Sequence, residues 1–336
     1  MGNAPLDLRP MTIAEILDRG FRLYRTNFAT FFGIVLVIQI VVFVLMMPLL
    51  YIQPRMMTTN GAPDPAKAMA VGAMSLLWCA VWLVVSFVGG GVLTLAVSER
   101  YTGQAIGVKA AYAKAAPKLW TLLKVALLVI VILGAALIVF SGAVGVMAVA
   151  LTAAMGRAAL GIALVIASVA LLVVFILLIL FRVYLTFLLT AAVVMVEGSG
   201  AIAALKRSRE LMRVKTEKGF FTMRSNSAKA TAILFVVIVI SLVAGLLIGI
   251  PMFFFNAGYS NAPLFTPGAV PILPWYVIAF EGVINVLVKS ATVPIGAVPI
   301  VLLYYDIRIR YEAFDLNMLA QSLQEVSPQV GAPENA

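Results

Sequence analysis

Histidine is absent from all 336 residues. Without it there is no imidazole general base, no Ser–His–Asp triad and no histidine metal ligand. Cysteine occurs once, as Cys79 inside an apolar run, so neither an intrachain disulfide nor a cysteine cluster for zinc or iron–sulfur can form. Charge is sparse: Asp, Glu, Lys and Arg together make 11% of the chain, with only 14 acidic residues. No two apolar runs carry carboxylates that would share a metal, and there is no phosphate-cradling glycine loop. Ser86, Ser141, Ser168 and Ser241 lie in apolar runs, but none has a histidine and no spacing pairs one with a lysine. The charged segments between apolar runs are too short for a soluble catalytic domain. These absences predict no enzyme activity, no metal and no cofactor.

Apolar sequence is what the chain has in quantity. Hydrophobic residues make 63% of it, a share that belongs to an all-α polytopic membrane protein. Six runs, at about 28–52, 69–97, 119–151, 159–196, 230–256 and 275–305, are each long enough to span about 30 Å of hydrocarbon at 1.5 Å per residue. The third and fourth exceed the ~20 residues a span needs, so they tilt or project beyond the bilayer. Gly156-Arg157 is the one break between them and reads as a tight hairpin. The first run is too long for a signal peptide and has no cleavage site after it, so it stays as a span.

Basic residues outnumber acidic ones by 24 to 14, a net charge of +10. On a membrane protein such an excess collects on the cytoplasmic side and meets anionic lipid, so nucleic acid is not an expected partner. With both termini inside, 19 Lys/Arg fall on the cytoplasmic side and three (Arg55, Lys67, Arg157) on the other. That asymmetry predicts cytoplasmic termini and an external Pro-rich loop at 257–274, anchored by Trp275 and Tyr276.

Three basic segments precede the first, third and fifth spans, at about 12–26, 104–117 and 199–214. Each reads as an amphipathic interfacial helix. The first opens with Thr12-Ile-Ala-Glu15, a capping box. Ile13, Ile16, Leu17, Phe21 and Tyr24 share one side, and Arg19, Arg22 and Arg25 point elsewhere. The last sets Ile202, Leu205, Leu211 and Met212 against Lys206, Arg207, Arg209 and Arg213, and eight Lys/Arg crowd between Lys206 and Lys229. The first and last copies share Leu-x-Arg-x(3)-Leu-x-Arg: Leu17, Arg19, Leu23 and Arg25 match Leu205, Arg207, Leu211 and Arg213. A threefold unit of interfacial helix, span out and span back follows. The competing reading is that any cytoplasmic segment ahead of a span looks basic and amphipathic. Residues 214–228 add a charged loop that the first copy lacks, and residues 321–336 read as a disordered cytoplasmic tail.

Three stretches then look familiar together: Pro10-Met-Thr-Ile-Ala-Glu-Ile-Leu-Asp-Arg-Gly-Phe-Arg-Leu-Tyr-Arg-Thr-Asn-Phe28, Glu197-Gly-x(5)-Ala204-Leu-Lys-Arg-Ser208, and Tyr304-Tyr-Asp-Ile-Arg-Ile-Arg310. Over residues 10–320 the chain resembles the bacterial family named for the membrane domain of glycerophosphoryl diester phosphodiesterases. The resemblance implies a six-helix bundle in the inner membrane and marks Glu197, Ser208, Asp306 and Arg308 as motif residues. In some members the bundle precedes a soluble phosphodiesterase domain. The sequence to Ala336 has no room for one, so the activity does not carry over.

Ionisable groups inside a bilayer cost at least ~2.5–3.5 kcal/mol, which makes each a functional candidate. Glu281, Asn285 and Lys289 recur every four residues in the sixth span and form one helical stripe. Pro294-Ile-Gly-Ala-Val-Pro299 follows and would kink the helix. Gln39 in the first span is a mid-membrane partner for this stripe. A polar stripe beside a broken helix is how many transporters build a midplane site. The structural reading instead places Glu281 at outer headgroups, lets Lys289 snorkel and has Asn285 bond a neighbouring helix. Arg182 falls about 35 Å along the fourth span, at the cytoplasmic interface where a lipid phosphate is its natural contact. Gly89-Gly-Gly91 reads as a close-packing site, with a hinge as the alternative.

Two functions fit. The favoured one is a non-enzymatic module that binds anionic cytoplasmic-leaflet lipid through Arg19, Arg22, Arg25, Arg182, Lys206, Arg207 and Arg213, or scaffolds a membrane protein or a second copy of itself. The alternative is a transporter or lipid-handling channel that uses the sixth-span stripe.

Overall fold

The computed structural model describes residues 11–57, 65–155, 159–213, 226–259 and 273–312. The Gly156-Arg157 hairpin, residues 214–225 of the charged loop, residues 260–272 of the Pro-rich loop and the 321–336 tail lie outside them.

Every regular element among the described residues is helical. They run α1 (Ile13–Thr26), α2 (Phe28–Met57), α3 (Pro65–Tyr101), α4 (Val108–Met155), α5 (Ala159–Phe187), the single turn α6 (Thr190–Ala192) leading into a π-turn (Val193–Glu197), α7 (Ala201–Arg213), α8 (Asn226–Tyr259) and α9 (Trp275–Glu312). Six of the helical stretches are long and apolar enough to cross a membrane: Phe28–Ile52, Met69–Tyr101, Val108–Ile132, Ile166–Glu197, Asn226–Tyr259 and Trp275–Arg310.

The sequence fixes α1 locally, through the capping box. The Thr12 N–H donates to Glu15 Oε2 at 2.7 Å, and the Glu15 N–H donates to Thr12 Oγ1 at 3.3 Å. The basic segment expected as a separate helix at about 104–117 is not one. It forms the first turns of α4, which continues through Pro117 without a break. The Ala-rich run Ala110–Ala116 favours helix strongly, and no glycine cap stops it. The fourth span does break. It stops at Phe187, resumes as α6 and the π-turn, and ends on Gly198 in the left-handed region (φ 71°). A left-handed cap suits glycine and turns the chain into α7.

α9 is the most enclosed span, packed by α1, α2, α3 and α8. Missing side chains let these neighbours approach. A Cβ on Gly20 would sit 3.1 Å from Pro299, and one on Gly296 would sit 2.8 Å from Val237. In α3, Gly89 lies under Ile38 of α2, and Gly91 under Leu122 of α4 and Met195 of the π-turn. The triple glycine is thus a packing device. The buried core gathers at the end of the bundle that carries α1, α7 and the last turns of α9. α5 leaves Leu171, Val174, Phe175, Leu177 and Leu178 exposed, a belt that bilayer hydrocarbon would solvate.

Candidate functional site

Three sets of polar groups were expected to carry function. The structure treats each differently.

The sixth-span stripe lines a cavity. Glu281, Asn285 and Lys289 of α9 and Gln39 of α2 open onto one space of about 400 Å³, closed otherwise by Val42, Phe43, Met46, Ile278, Val286 and their apolar neighbours. Four polar side chains from two long apolar helices therefore line one space. Phe43 lies directly over Gly282, where a Cβ would fall 2.1 Å from the ring, so the glycine lets α2 and α9 approach here. Glu281 Oε2 accepts from Asn256 Nδ2 of α8 at 3.1 Å. Asn285 Nδ2 donates to the Glu281 carbonyl of its own helix at 3.0 Å. The inter-helix bond expected of Asn285 is thus made by Glu281 instead. Asn256, in Phe253-Phe-Phe-Asn256, escaped the sequence reading, although a lone amide in an apolar run was a signal to follow.

The motif residues of the family resemblance are spent on the fold. Asp306 has no exposed surface. Its carboxylate accepts from the Met11 N–H at 2.7 Å, Lys229 Nζ at 3.0 Å and Arg310 Nε at 3.0 Å. Arg310 also donates to the Met11 carbonyl at 2.7 Å. The segment before α1, the first turn of α8 and the last turns of α9 are clasped at this one side chain. Glu197 accepts from the Tyr304 hydroxyl at 2.8 Å and lies 3.7 Å from Arg207 Nε. Arg308 donates to Tyr304 at 3.3 Å and to Glu312 at 2.9 Å, and Glu312 closes the circuit back to Arg207. Ser208 Oγ donates to the Thr186 carbonyl at 2.9 Å, and Asn226 Nδ2 to the Leu211 carbonyl at 2.7 Å, so α7 is stitched to α5 and α8. Lys118 reaches the Met195 carbonyl, and the Ser98 and Tyr305 hydroxyls meet between α3 and α9. On α1, the Tyr24 hydroxyl donates to the Ala291 carbonyl of α9 at 2.7 Å, and burial pushes its pKa above the ordinary value.

The cations expected to meet lipid divide. Arg25, Arg182, Lys206 and Arg213 are exposed, as is Arg209, which was not among those expected. Arg22 is exposed as well, and its 3.5 Å pair with Asp18 is solvent-facing on both sides, so it holds the guanidinium weakly. Arg207 differs: it is half-buried among Glu197, Glu210 and Glu312, which removes it from the headgroup-binding set. Arg19 is half-buried. Among the described residues no cluster of His, Cys, Asp or Glu could hold a metal ion.

No protein-family model, curated protein or solved structure matches this chain. The family resemblance rests on the sequence motifs alone.

Proposed function

We propose that this protein is a non-enzymatic module of the bacterial inner membrane whose cytoplasmic face gathers anionic phospholipid. The observation that carries this reading is the division of α7. Ala204, Leu205, Ser208, Leu211 and Met212 are buried against the bundle, while Lys206, Arg209 and Arg213 are exposed. A cation near an anionic leaflet contributes about 1 kcal/mol, so these three with Arg22 and Arg25 of α1 would hold several headgroups. The charge asymmetry of the sequence puts this face in the cytoplasm. The threefold plan enters in reduced form: α1 before α2 and α7 before α8 are two copies of one arrangement, and the middle copy has fused into its span.

The test is lipid retention. Protein extracted from a mixed membrane in mild detergent should keep phosphatidylglycerol and cardiolipin above their bulk share. A Lys206→Gln, Arg209→Gln, Arg213→Gln variant should lose that enrichment, and raising salt from about 50 to 500 mM should lower it in the wild type through screening. Enrichment unmoved by either change would end the proposal. Purified protein should also turn over no glycerophosphodiester.

A second reading, a transporter or lipid-handling channel, is favoured by one observation: Gln39 and the Glu281–Asn285–Lys289 stripe share a cavity.

A further inference from the structure

The cavity between α2 and α9 is lined by polar groups that the fold leaves uncommitted. Gln39 of α2 and Lys289 of α9 have no hydrogen bond or ion pair with any described residue. Asn285 donates to the Glu281 carbonyl and keeps Oδ1 as an acceptor. Glu281 is steadied by Asn256 of α8, which does not itself line the cavity, and its carboxylate has further lone pairs to offer. A polar group without a partner is costly in a spanning helix, so four of them around one space point to a polar occupant.

The charges on the wall narrow the class. Eight residues separate Glu281 from Lys289, which sets them about 12 Å apart along the axis and about 80° apart around it. No ion pair joins them among the described residues. A simple cation would satisfy the acid and meet the base, and a simple anion would do the reverse. A solute with an ammonium at one end and a carboxylate at the other satisfies both. A free amino acid carries both charges on one carbon and is too short to reach across. Two or three residues of extended peptide span about 7–11 Å, within reach of a Glu and a Lys side chain that lean toward each other.

The groups between the charges fit the same solute. Phe43 meets Gly282, and Gly20, ahead of α2, meets Pro299, so the chain runs against α9 and Gln39 falls near the level of Asn285. These two amides offer the donors and acceptors that pair with a peptide bond. Val42, Phe43, Met46 and Val286 complete a wall suited to small apolar side chains, and about 400 Å³ is the size of a small-molecule site.

The lining also gives the cavity a direction. It starts at Leu273, ahead of the first turn of α9, and ends at Lys289. Just past Lys289 the Tyr24 hydroxyl of α1 is bonded to the Ala291 carbonyl, and Ser290 and Pro294 are buried. The cavity therefore reaches the Trp275 end of the span and is closed toward α1. Counted from Trp275, Glu281 lies about 9 Å in and Lys289 about 21 Å in, so the amino end of the solute sits nearer the mouth.

We propose that this cavity binds a short linear peptide of two or three residues with free termini, its ammonium on Glu281, its carboxylate on Lys289 and its peptide groups on Asn285 and Gln39. The proposal rests on the reading of the stripe as a transporter's solute site and supplies its substrate class. It does not depend on the basic face of α7.

The probe is radiolabelled trialanine, with its binding to purified full-length protein in detergent counted by scintillation proximity. Wild type should bind it saturably and at least tenfold more tightly than free alanine, N-acetyl-trialanine or trialanine amide. Glu281→Gln should remove the discrimination against the acetylated form, and Lys289→Met that against the amide. Met46→Trp, which fills the cavity and alters no charge, should abolish binding. The Lys206→Gln, Arg209→Gln, Arg213→Gln variant should bind as wild type does, which separates this site from the α7 face. The ligand series is read on wild type, so the test stands even where a variant fails to fold. Three results would overturn the proposal: no saturable trialanine binding by wild type, equal binding of the blocked forms, or discrimination that persists in both folded charge variants. Trialanine binding without uptake into proteoliposomes would keep the site and end the transporter reading, so the two fail separately.

Discussion

At Asp306 a carboxylate shielded from solvent meets Lys229 and Arg310, themselves 12% and 27% exposed, together with a backbone N–H from the start of the described chain. Removing the charge while keeping the shape, as in Asp306→Asn, leaves two cations without their counter-charge. That change should cost ~3–5 kcal/mol, read as a large drop in the thermal midpoint in detergent. Glu281→Gln gives the contrast. Among the described residues its carboxylate carries one hydrogen bond, to Asn256, so its stability cost should stay near ~1 kcal/mol. Tyr24 adds a pH dependence. Its pKa is raised in the folded protein, so its contribution is complete below the unfolded value of about 10 and is lost as pH climbs through the higher folded value. Alkaline titration should therefore weaken the wild type more than Tyr24→Phe, which itself gives up about 1 kcal/mol at neutral pH with the Ala291 bond. At this scale the sequence was legible where partners are close along the chain. The Thr12–Glu15 box could be read from spacing alone. The Asp306 clasp joins positions up to 295 residues apart, and no spacing rule reaches that far.

Among elements, the α3 triple glycine shows how one motif does different things at successive residues. Successive positions on a helix turn by about 100°, so Gly89 and Gly91 look toward different neighbours. A Cβ on Gly89 would lie 2.4 Å from Ile38 Cδ1, with two more atoms of that branched side chain within 3.3 Å, whereas a Cβ on Gly90 meets nothing within 4 Å. Gly89→Ala should therefore destabilise by ~1–3 kcal/mol through overpacking, and Gly90→Ala should be neutral or stabilise by ~0.5–1 kcal/mol through helix propensity. Paired unfolding curves in one detergent would check both, and a hinge role would make the two alike. The fused start of α4 is where periodicity misled. Its lysines suggested a separate basic helix, but an alanine-rich stretch with no cap has no reason to stop, and Lys118 finds its carbonyl partner at Met195 from within the continuous helix. The π-turn that presents Glu197 left no mark in the sequence, because an extra backbone residue per turn depends on packing and not on composition.

For the whole molecule, the number of spans was plain from run length, since each apolar run is at least as long as the hydrocarbon requires and none is long enough for two spans. The charge asymmetry predicts an orientation that can be tested directly. With Cys79 changed to Ser, a cysteine placed at Arg25 or Lys206 should react with a membrane-impermeant reagent only after the cells are opened, and one placed at Tyr276 should react from outside. The reverse pattern would invert the proposed lipid face. The convergence of Gln39 with α9 was legible as a pairing of two rare intramembrane polar residues.

The clasp at Asp306 also sets an order of events. The first described residue finds its partner only when the last spanning helix has been made and inserted. Until then Lys229 waits in the bundle without its counter-ion and the opening helix has nothing to latch onto. The lock between α1 and α9 therefore belongs to the late contacts of biogenesis, since one of its partners is made only with α9.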